Sequence, residues 1–159
     1  MRHFLVVTAA CVALASPDSS SAADPQPQAR SAPGAPNLIA RHADIADEVV
    51  SSVEGKPVQG RLLVKPLLRG ERMTMLELHY QAGAKAPLHA HTHESLIYVV
   101  SGRVKTWIGG DVFVLGPGDV ARHPAGVLHT VEAMVESTII EVKSPPPDFT
   151  KVISTQEKH

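Results

Sequence analysis

The sequence predicts an all-β fold, an antiparallel β-sandwich or β-barrel. From Gly60 onward the chain consists of short apolar runs, among them RLLVKPLL, RMTMLELHY, LIYVV, RVKTWI, VFVL and STIIEVK, separated by turn sequences such as SG, GGD and GPGD. Apolar runs of strand length at intervals of roughly eight to twelve residues, bounded by Gly, Asp and Pro, are typical of antiparallel β domains. No long helical pattern interrupts them, and we therefore assign residues 57–148 to one β domain.

Size and composition indicate one folded domain and argue against nucleic acid as a partner. The chain has 159 residues, which is enough for a single hydrophobic core. Its 15 basic and 16 acidic residues give a formal net charge of -1, and they are mixed along the chain without a basic stripe. A hydrophobic content of 43% with 4% aromatic residues predicts an aliphatic core. A small-molecule ligand is the partner that this composition favours.

The first 23 residues have the pattern of a secretory signal peptide. Arg2 provides a basic start, residues 4–15 form an apolar run, and small residues lead up to Ala23. This run is too short to span a bilayer, and no later run is long enough, so we expect a periplasmic or secreted protein without a membrane anchor. The alternative is a lipoprotein acylated at Cys11, the single cysteine. If the leader is removed, the remaining chain has no thiol for catalysis or metal binding.

Three further segments flank or precede the β domain. Residues 24–36 read DPQPQARSAPGAP and are predicted to be a disordered, Pro-rich linker. Residues 37–56 form an N-terminal extension, for which we predict a short helix capped by Asn37, although Val-Val-Ser-Ser also suits a strand. The helix prediction depends on apolar residues near helical spacing, namely Leu38, Ile45, Val49 and Val53. Residues 149–159 are assigned to a C-terminal tail.

A cluster of histidines precedes the LIYVV run. His89, His91 and His93 occupy alternate positions, and in an extended chain they share one face with Ser95. Convergent neutral imidazoles are ligands for borderline divalent metals. The alternative is a solvated His-rich edge with no metal. A second histidine-bearing segment that reached the same face would favour the metal site.

The histidine cluster belongs to two spaced motifs that resemble those of the cupin superfamily. The first motif consists of Gly83, His89, His91 and Gly102, and the second consists of Gly118, Pro124, Gly126 and His129. The resemblance implies a single-domain, antiparallel jelly-roll β-barrel of the cupin kind, also called a double-stranded β-helix. It also implies that His89, His91 and His129 point inward and bind one divalent metal ion. Iron, nickel, zinc and manganese all remain open.

The chain departs from the cupin pattern at the expected fourth ligand. The family has Glu or Gln four residues after the second histidine of the pair, and this chain has Ser95 there. Glu94 is one residue away but points off the metal face of an undistorted strand. His93 is a possible additional ligand that the resemblance places at the mouth of the pocket. The fourth coordination position therefore stays open among His93, Glu94 and Ser95.

Residues 60–148 further resemble the cupins of pectin degradation, which convert unsaturated monouronates to linear keto-deoxy uronates. The likeness is carried by HTHESLIYVVSGRV, LGPGD, HTVEA and SPPPDF. In that group an Asp, an aromatic residue and an Arg line the pocket, and the matching positions here are Glu141, Lys143 and Pro147. Glu141 is therefore a candidate for proton transfer, with a solvent-facing strand residue as the alternative. Lys143, if it turned inward, would supply the charge that Pro147 lacks.

Three functions follow from these observations. The first is an exported metal-dependent enzyme of isomerase or tautomerase type, acting on a sugar acid or a similar carbonyl or enol compound. The second is an iron dioxygenase with three His ligands, and the third is a non-catalytic binding or sensor barrel stabilised by metal. An inward pair of Glu141 and Lys143 favours the first, whereas a wholly aliphatic pocket favours the third. The resemblance also implies a homodimer. We assign His79 and His123 structural positions, the latter in a turn before Pro124.

Overall fold

The structure is a computed structural model, and it describes residues 38–148 together with strand residues 153–156. The predicted signal peptide, residues 1–23, and the predicted linker, residues 24–36, lie outside the described residues. The predictions of a disordered leader and of acylation at Cys11 also concern residues outside the described ranges.

The described part of the chain forms eleven β-strands in two sheets. The strands are β1 Glu48–Val53, β2 Lys56–Pro57, β3 Leu62–Arg69, β4 Thr74–Tyr80, β5 Glu94–Ser101, β6 Val104–Ile108, β7 Asp111–Leu115, β8 Val120–His123, β9 His129–Ala133, β10 Ser137–Ser144 and β11 Ile153–Gln156. The larger sheet has the order β11-β1-β3-β4-β10-β5-β8, with β2 paired to β1, and the smaller has the order β7-β6-β9. Neighbouring strands pair antiparallel throughout. The prediction of an all-β antiparallel barrel is confirmed.

The core lies between the two sheets and is almost entirely aliphatic. The larger sheet supplies Leu76 and Ile97, which are 0% and 1% exposed, and the smaller sheet supplies Val104 and Ala133, both 0% exposed. Along β4 buried and less buried residues alternate strictly, as expected for a strand with one face on the core. Polar residues interrupt this pattern at one end of the barrel interior, where the histidines lie.

The predicted helix in the N-terminal extension is wrong. A 3₁₀ turn at His42–Asp44 is followed by β1, and β1 pairs with both β3 and β11. The residues of β1 that pack on the core are Val50 and Val53, and a register irregularity between Val50 and Ser52 brings them to one face. Part of the C-terminal tail, Ile153–Gln156, is also a strand of the larger sheet. Within residues 38–148 and 153–156, no helix is long and apolar enough to cross a membrane.

Gly102, the closing glycine of the first motif, lies in the turn between β5 and β6 with φ at +84°. A Cβ atom there would collide with the carbonyl oxygen of Glu136 and with Ser137. Gly118, of the second motif, has a similar φ of +91° but open space around the Cβ position. A comparison of alanine substitutions at the two glycines therefore distinguishes the stability cost of backbone strain from that of steric collision.

We predict that Gly102→Ala lowers the free energy of unfolding more than Gly118→Ala does. Left-handed strain costs each variant about 1–2 kcal/mol, and the collision adds about 1–3 kcal/mol at residue 102 alone. Urea unfolding of the two variants measures the difference. Equal losses of stability would contradict the close packing of Gly102 against the β9–β10 turn.

Candidate metal centre

Three histidine side chains converge inside the barrel from two segments of the chain. His129 is the first residue of β9, and its backbone exchanges two hydrogen bonds with His89, at 2.9 and 3.1 Å. His91 lies two residues after His89, and its carbonyl accepts a hydrogen bond from the amide of Gly126 at 2.8 Å. One ligand atom from each of His89, His91 and His129 lies within 4.8 Å of the others. The resemblance implied this set, and the structure brings it together.

Backbone carbonyls determine which nitrogen each of these rings presents to the interior. The Nδ1 atoms of His89, His91 and His129 lie 2.7, 2.7 and 2.9 Å from the carbonyl oxygens of Pro87, His93 and Val127. A carbonyl can only accept, so each Nδ1 carries the proton and donates it. The Nε2 lone pair of each neutral ring is therefore free. Orientation of this kind is the usual outer support of metal-binding imidazoles.

The three rings are buried and neutral, as metal ligands must be. They are 7%, 6% and 2% exposed in chain order. Burial lowers the pKa of His89 and of His91 to about 4, and burial also lowers the pKa of His129. The Nε2 atom of His91 is buried and has no hydrogen-bond partner among the described residues. A divalent ion would satisfy this atom, so the donor set fits a metal with open coordination positions.

His93 is also buried, at 3% exposure, but its geometry does not suit the same ion. Its ring stacks on His91 with 3.6 Å between centroids and 11° between planes. The lone pairs of two stacked rings lie in nearly parallel planes, so an ion in the plane of the His91 ring lies out of the plane of the His93 ring. Burial lowers the pKa of His93 to about 3, so this ring is neutral. The structure thus places His93 inward, beside the three-histidine group rather than in it.

The other two candidates for the fourth ligand lie on opposite sides of β5. The side chain of Glu94 is 46% exposed and is 3.3 Å from Arg122, so it points away from the three-histidine group. Ser95 is fully buried, and its hydroxyl accepts a hydrogen bond of 3.2 Å from the Lys143 ammonium. A hydroxyl held in this way is a poor ligand for a divalent ion.

Glu141 and Lys143 form a buried ion pair beside the histidines. Both side chains point inward from β10, with 2.6 Å between Nζ and Oε1, and the residues are 4% (Lys143) and 8% (Glu141) exposed. Burial raises the pKa of Glu141, but the Lys143 charge and hydrogen bond outweigh it and hold the pKa at about 2. Both line the same cavity as His89, His91 and His129. The solvent-facing alternative for Glu141 is excluded.

His123 is a cavity residue that the sequence analysis placed in a turn. It is the last residue of β8, it is 2% exposed, and its ring stacks on His129 with centroids 4.3 Å apart. The alternation along VARH contained the signal, because Ala121 and His123 share the inner face while Val120 and Arg122 are exposed. The Pro after it concealed that strand end. His79, by contrast, is half-buried, and its ring nitrogens bond Glu77 and Thr138.

The fold and the site define a β-barrel protein whose interior holds three histidines able to bind a metal ion. Residues 76–140 match the model of the cupin domain. The matched residues include the first-motif histidines and His129, so the family match agrees with the cupin-like motifs and the barrel fold. A comparison with curated proteins found no match.

Three solved structures have a similar fold. An RmlC-like cupin from Shewanella frigidimarina is 23% identical, with a TM-score of 0.60, 68% of this chain and 90% of that chain being covered. KdgF from Halomonas sp. is 25% identical, with a TM-score of 0.54 and coverage of 56% and 83%. A predicted oxalate decarboxylase from Thermotoga maritima is 19% identical, with a TM-score of 0.61 and coverage of 68% and 99%. These likenesses support the barrel fold.

We predict that replacing His89, His91 or His129 with Ala removes most of the bound metal, whereas His93→Ala leaves it nearly intact. Loss of an outer partner of a ligand already costs about 10–100-fold in affinity, and loss of a ligand should exceed that. A bound ion stabilises the folded state by mass action, so the three variants should also lose their metal-dependent rise in Tm. Elemental analysis of purified protein measures the content. Full metal in His129→Ala would refute the assignment.

We predict that the metal-free protein loses stability as the pH falls from about 6.5 to about 4. Burial lowers the pKa of His89 and His91 from 6.5 to about 4, and of His93 and His123 to about 3. In this range the unfolded chain takes up protons that the folded chain does not, which favours unfolding. Urea unfolding at several pH values measures the slope. A stability independent of pH in this range would contradict the buried neutral cluster.

Proposed function

We propose that the protein is a metal-dependent enzyme acting on a small sugar acid or a similar carbonyl or enol compound. The observation that carries this proposal is the buried Glu141 and Lys143 pair in the three-histidine cavity. Burial of two charges costs on the order of several kcal/mol per ion. A non-catalytic barrel, in which the metal served only to stabilise the fold, would have no use for this buried pair. A proton acceptor and a cation next to a metal site are what such chemistry requires.

The roles of the chain's own residues follow from their positions. His89, His91 and His129 would hold the ion, which when bound supplies polarisation of a substrate oxygen. Glu141 is ionised, so it begins the reaction as a proton acceptor. The apolar walls of the cavity, which include Leu62, Leu78 and Ile139, exclude water.

Lys143 connects substrate charge to the basicity of Glu141. Its ammonium bonds both Glu141 Oε1, at 2.6 Å, and Ser95 Oγ, at 3.2 Å. A substrate carboxylate that draws this ammonium away removes the main cause of the low pKa of Glu141. The carboxylate of Glu141 then becomes a stronger base only when an anionic substrate is present. An acidic substrate is therefore matched to the site, even with Pro147 in place of the Arg found in pectin-degradation cupins.

Sequence likeness supports the same substrate class. Residues 60–148 resemble the cupins that convert unsaturated monouronates, and a structural likeness to KdgF from Halomonas sp. accompanies it. The conversion of a cyclic unsaturated uronate to a linear keto acid requires a proton acceptor and polarisation of an oxygen. Glu141 and the three-histidine group offer these two elements.

A second candidate, an iron dioxygenase, is favoured by one observation. Within the described residues, the group able to hold a metal consists of three imidazoles and contains no carboxylate. The position where cupins supply an acidic ligand holds Ser95, whose hydroxyl is bonded to Lys143. The common non-haem iron site instead has two histidines and one carboxylate. An all-imidazole site is the feature that the dioxygenase alternative explains directly.

We predict that metal-loaded protein consumes an unsaturated monouronate and that Glu141→Gln lowers kcat about 10²–10⁴-fold, the usual contribution of a positioned acid or base. Lys143→Met should raise KM for the acid as well as lower kcat. Loss of the substrate's ring double bond, followed by NMR, measures the reaction. Glu94→Gln is the matched control, because Glu94 lies one residue from Ser95 but faces outward.

The outcomes of this assay separate the candidates. Turnover that Glu141→Gln does not slow would contradict the role of this carboxylate. Dioxygen uptake by the iron-loaded protein, with no uronate conversion, would support the dioxygenase instead. If the protein shows neither uronate conversion nor dioxygen uptake with iron, nickel, zinc or manganese, it is a non-catalytic barrel.

We also propose that the protein is a homodimer that pairs through the outer face of β5 and β8. This face carries Leu96, Tyr98 and Val120 at 51%, 47% and 69% exposure, and β8 is an edge strand of the larger sheet. We predict a dimer mass by light scattering at micromolar concentration and a monomer mass for Val120→Asp. Val112→Asp, at a 52% exposed position on β7, is the control that should stay dimeric. A monomeric unsubstituted protein would refute this proposal.

A further inference from the structure

His123 differs from the three converging histidines in the nitrogen that its surroundings hold. Its Nε2 atom lies 3.1 Å from the hydroxyl of Thr106, and that hydroxyl donates a hydrogen bond of 3.0 Å to the carbonyl of Thr130. A hydroxyl has one hydrogen, and the carbonyl can only accept it. Thr106 must therefore accept from His123, which places the His123 proton on Nε2.

The consequence is a ring of opposite tautomer next to the metal site. His89, His91 and His129 carry their protons on Nδ1, whereas His123 carries its proton on Nε2 and keeps a lone pair on Nδ1. The two nitrogens of an imidazole point in divergent directions, so Nδ1 of His123 points away from Thr106. The ring is neutral, because burial lowers its pKa to about 3. It lines the same cavity as the other three rings.

The cavity has few polar groups besides the ligands, and they differ in what they offer. Lys143 is a donor, Glu141 is an ionised acceptor already bonded to Lys143, the Tyr80 hydroxyl can donate or accept, and His123 offers a neutral nitrogen that can only accept. Stacking on His129 and the bond to Thr106 fix the direction of that acceptor. A fixed neutral acceptor beside a metal site favours a ligand that brings an O–H group to it.

We propose that His123 is a specificity-determining residue whose Nδ1 accepts a hydrogen bond from a hydroxyl or enol O–H of the molecule bound at the three-histidine site. This deepens the proposed function, on which it rests, by naming the substrate group that the chain recognises. Ligands with a hydroxyl next to the metal-bound oxygen are selected over those in which the hydroxyl is capped. An acceptor left unpaired in the buried cavity makes the capped ligand unfavourable.

The test compares glycolate with methoxyacetate, which have the same carboxylate and second oxygen but differ in the hydroxyl hydrogen. Cobalt-loaded protein is titrated with each acid, and the visible spectrum of the cobalt gives the Kd. We expect glycolate to bind about tenfold tighter than methoxyacetate, the size of one good hydrogen bond. In His123→Gln, whose amide reaches the place of Nε2 but leaves no acceptor at Nδ1, the ratio should fall towards one. In His123→Asn, whose amide lies near the place of Nδ1, the preference should persist.

Two further measurements keep the proposal falsifiable. Nitrogen-15 NMR of the metal-free protein should show His123 protonated on Nε2, and Nδ1 protonation would overturn the proposal. Thr106→Val removes the hydroxyl that holds the His123 proton on Nε2, so it should also reduce the ratio. This variant replaces His123→Gln if His123→Gln does not fold. An unchanged ratio in His123→Gln, or no binding of either acid by the unsubstituted protein, would overturn the proposal. Because these readouts are binding and tautomer, failure of uronate turnover with an intact preference would refute the proposed function alone.

Discussion

The Nδ1 atoms of His89, His91 and His129 donate hydrogen bonds to backbone carbonyls, and the organisation of the cavity depends on these three contacts. Burial keeps each ring neutral, and each bond fixes the tautomer that leaves the Nε2 lone pair free. The carbonyls belong to Pro87, His93 and Val127, in segments whose positions are set by the mutual backbone pairing of His89 and His129. The barrel thus orients its ligands through main-chain geometry, which side-chain substitutions elsewhere leave in place.

The cavity combines groups that are costly to bury, and their arrangement offsets part of that cost. Five imidazoles are kept neutral by desolvation, so they bring no charge into the interior. The two charges that are buried, on Glu141 and Lys143, neutralise each other at 2.6 Å. Removing one partner alone would leave an unpaired buried charge, which typically costs about 3–5 kcal/mol. The buried charges therefore sum to zero without a metal. A bound metal ion would add positive charge, which an anionic ligand could neutralise.

The strands from β3 to β10 were predictable because their signals are local. Apolar runs bounded by turn residues mark most of these strands, although Pro124 concealed the end of β8, and the first motif places His89 and His91 without knowledge of distant contacts. β1 was only the alternative to a helix, because a register irregularity between Val50 and Ser52 interrupts its alternation and its pairing with β11 is about a hundred residues away in sequence. The inward position of Glu141 was left open, since alternation alone does not say which face of β10 is covered. The role of Thr106 in fixing His123 depends on β6 meeting β8 and β9 in space.

The most direct test of a three-histidine metal centre is anomalous X-ray diffraction from crystals grown with zinc. The account predicts one anomalous peak inside the barrel, about 2.0–2.1 Å from the Nε2 atoms of His89, His91 and His129. The Nδ1 atoms of the same rings should stay bonded to their carbonyls. The absence of a peak in the cavity, or a peak coordinated by His93 or by Nδ1 of His123, would contradict it.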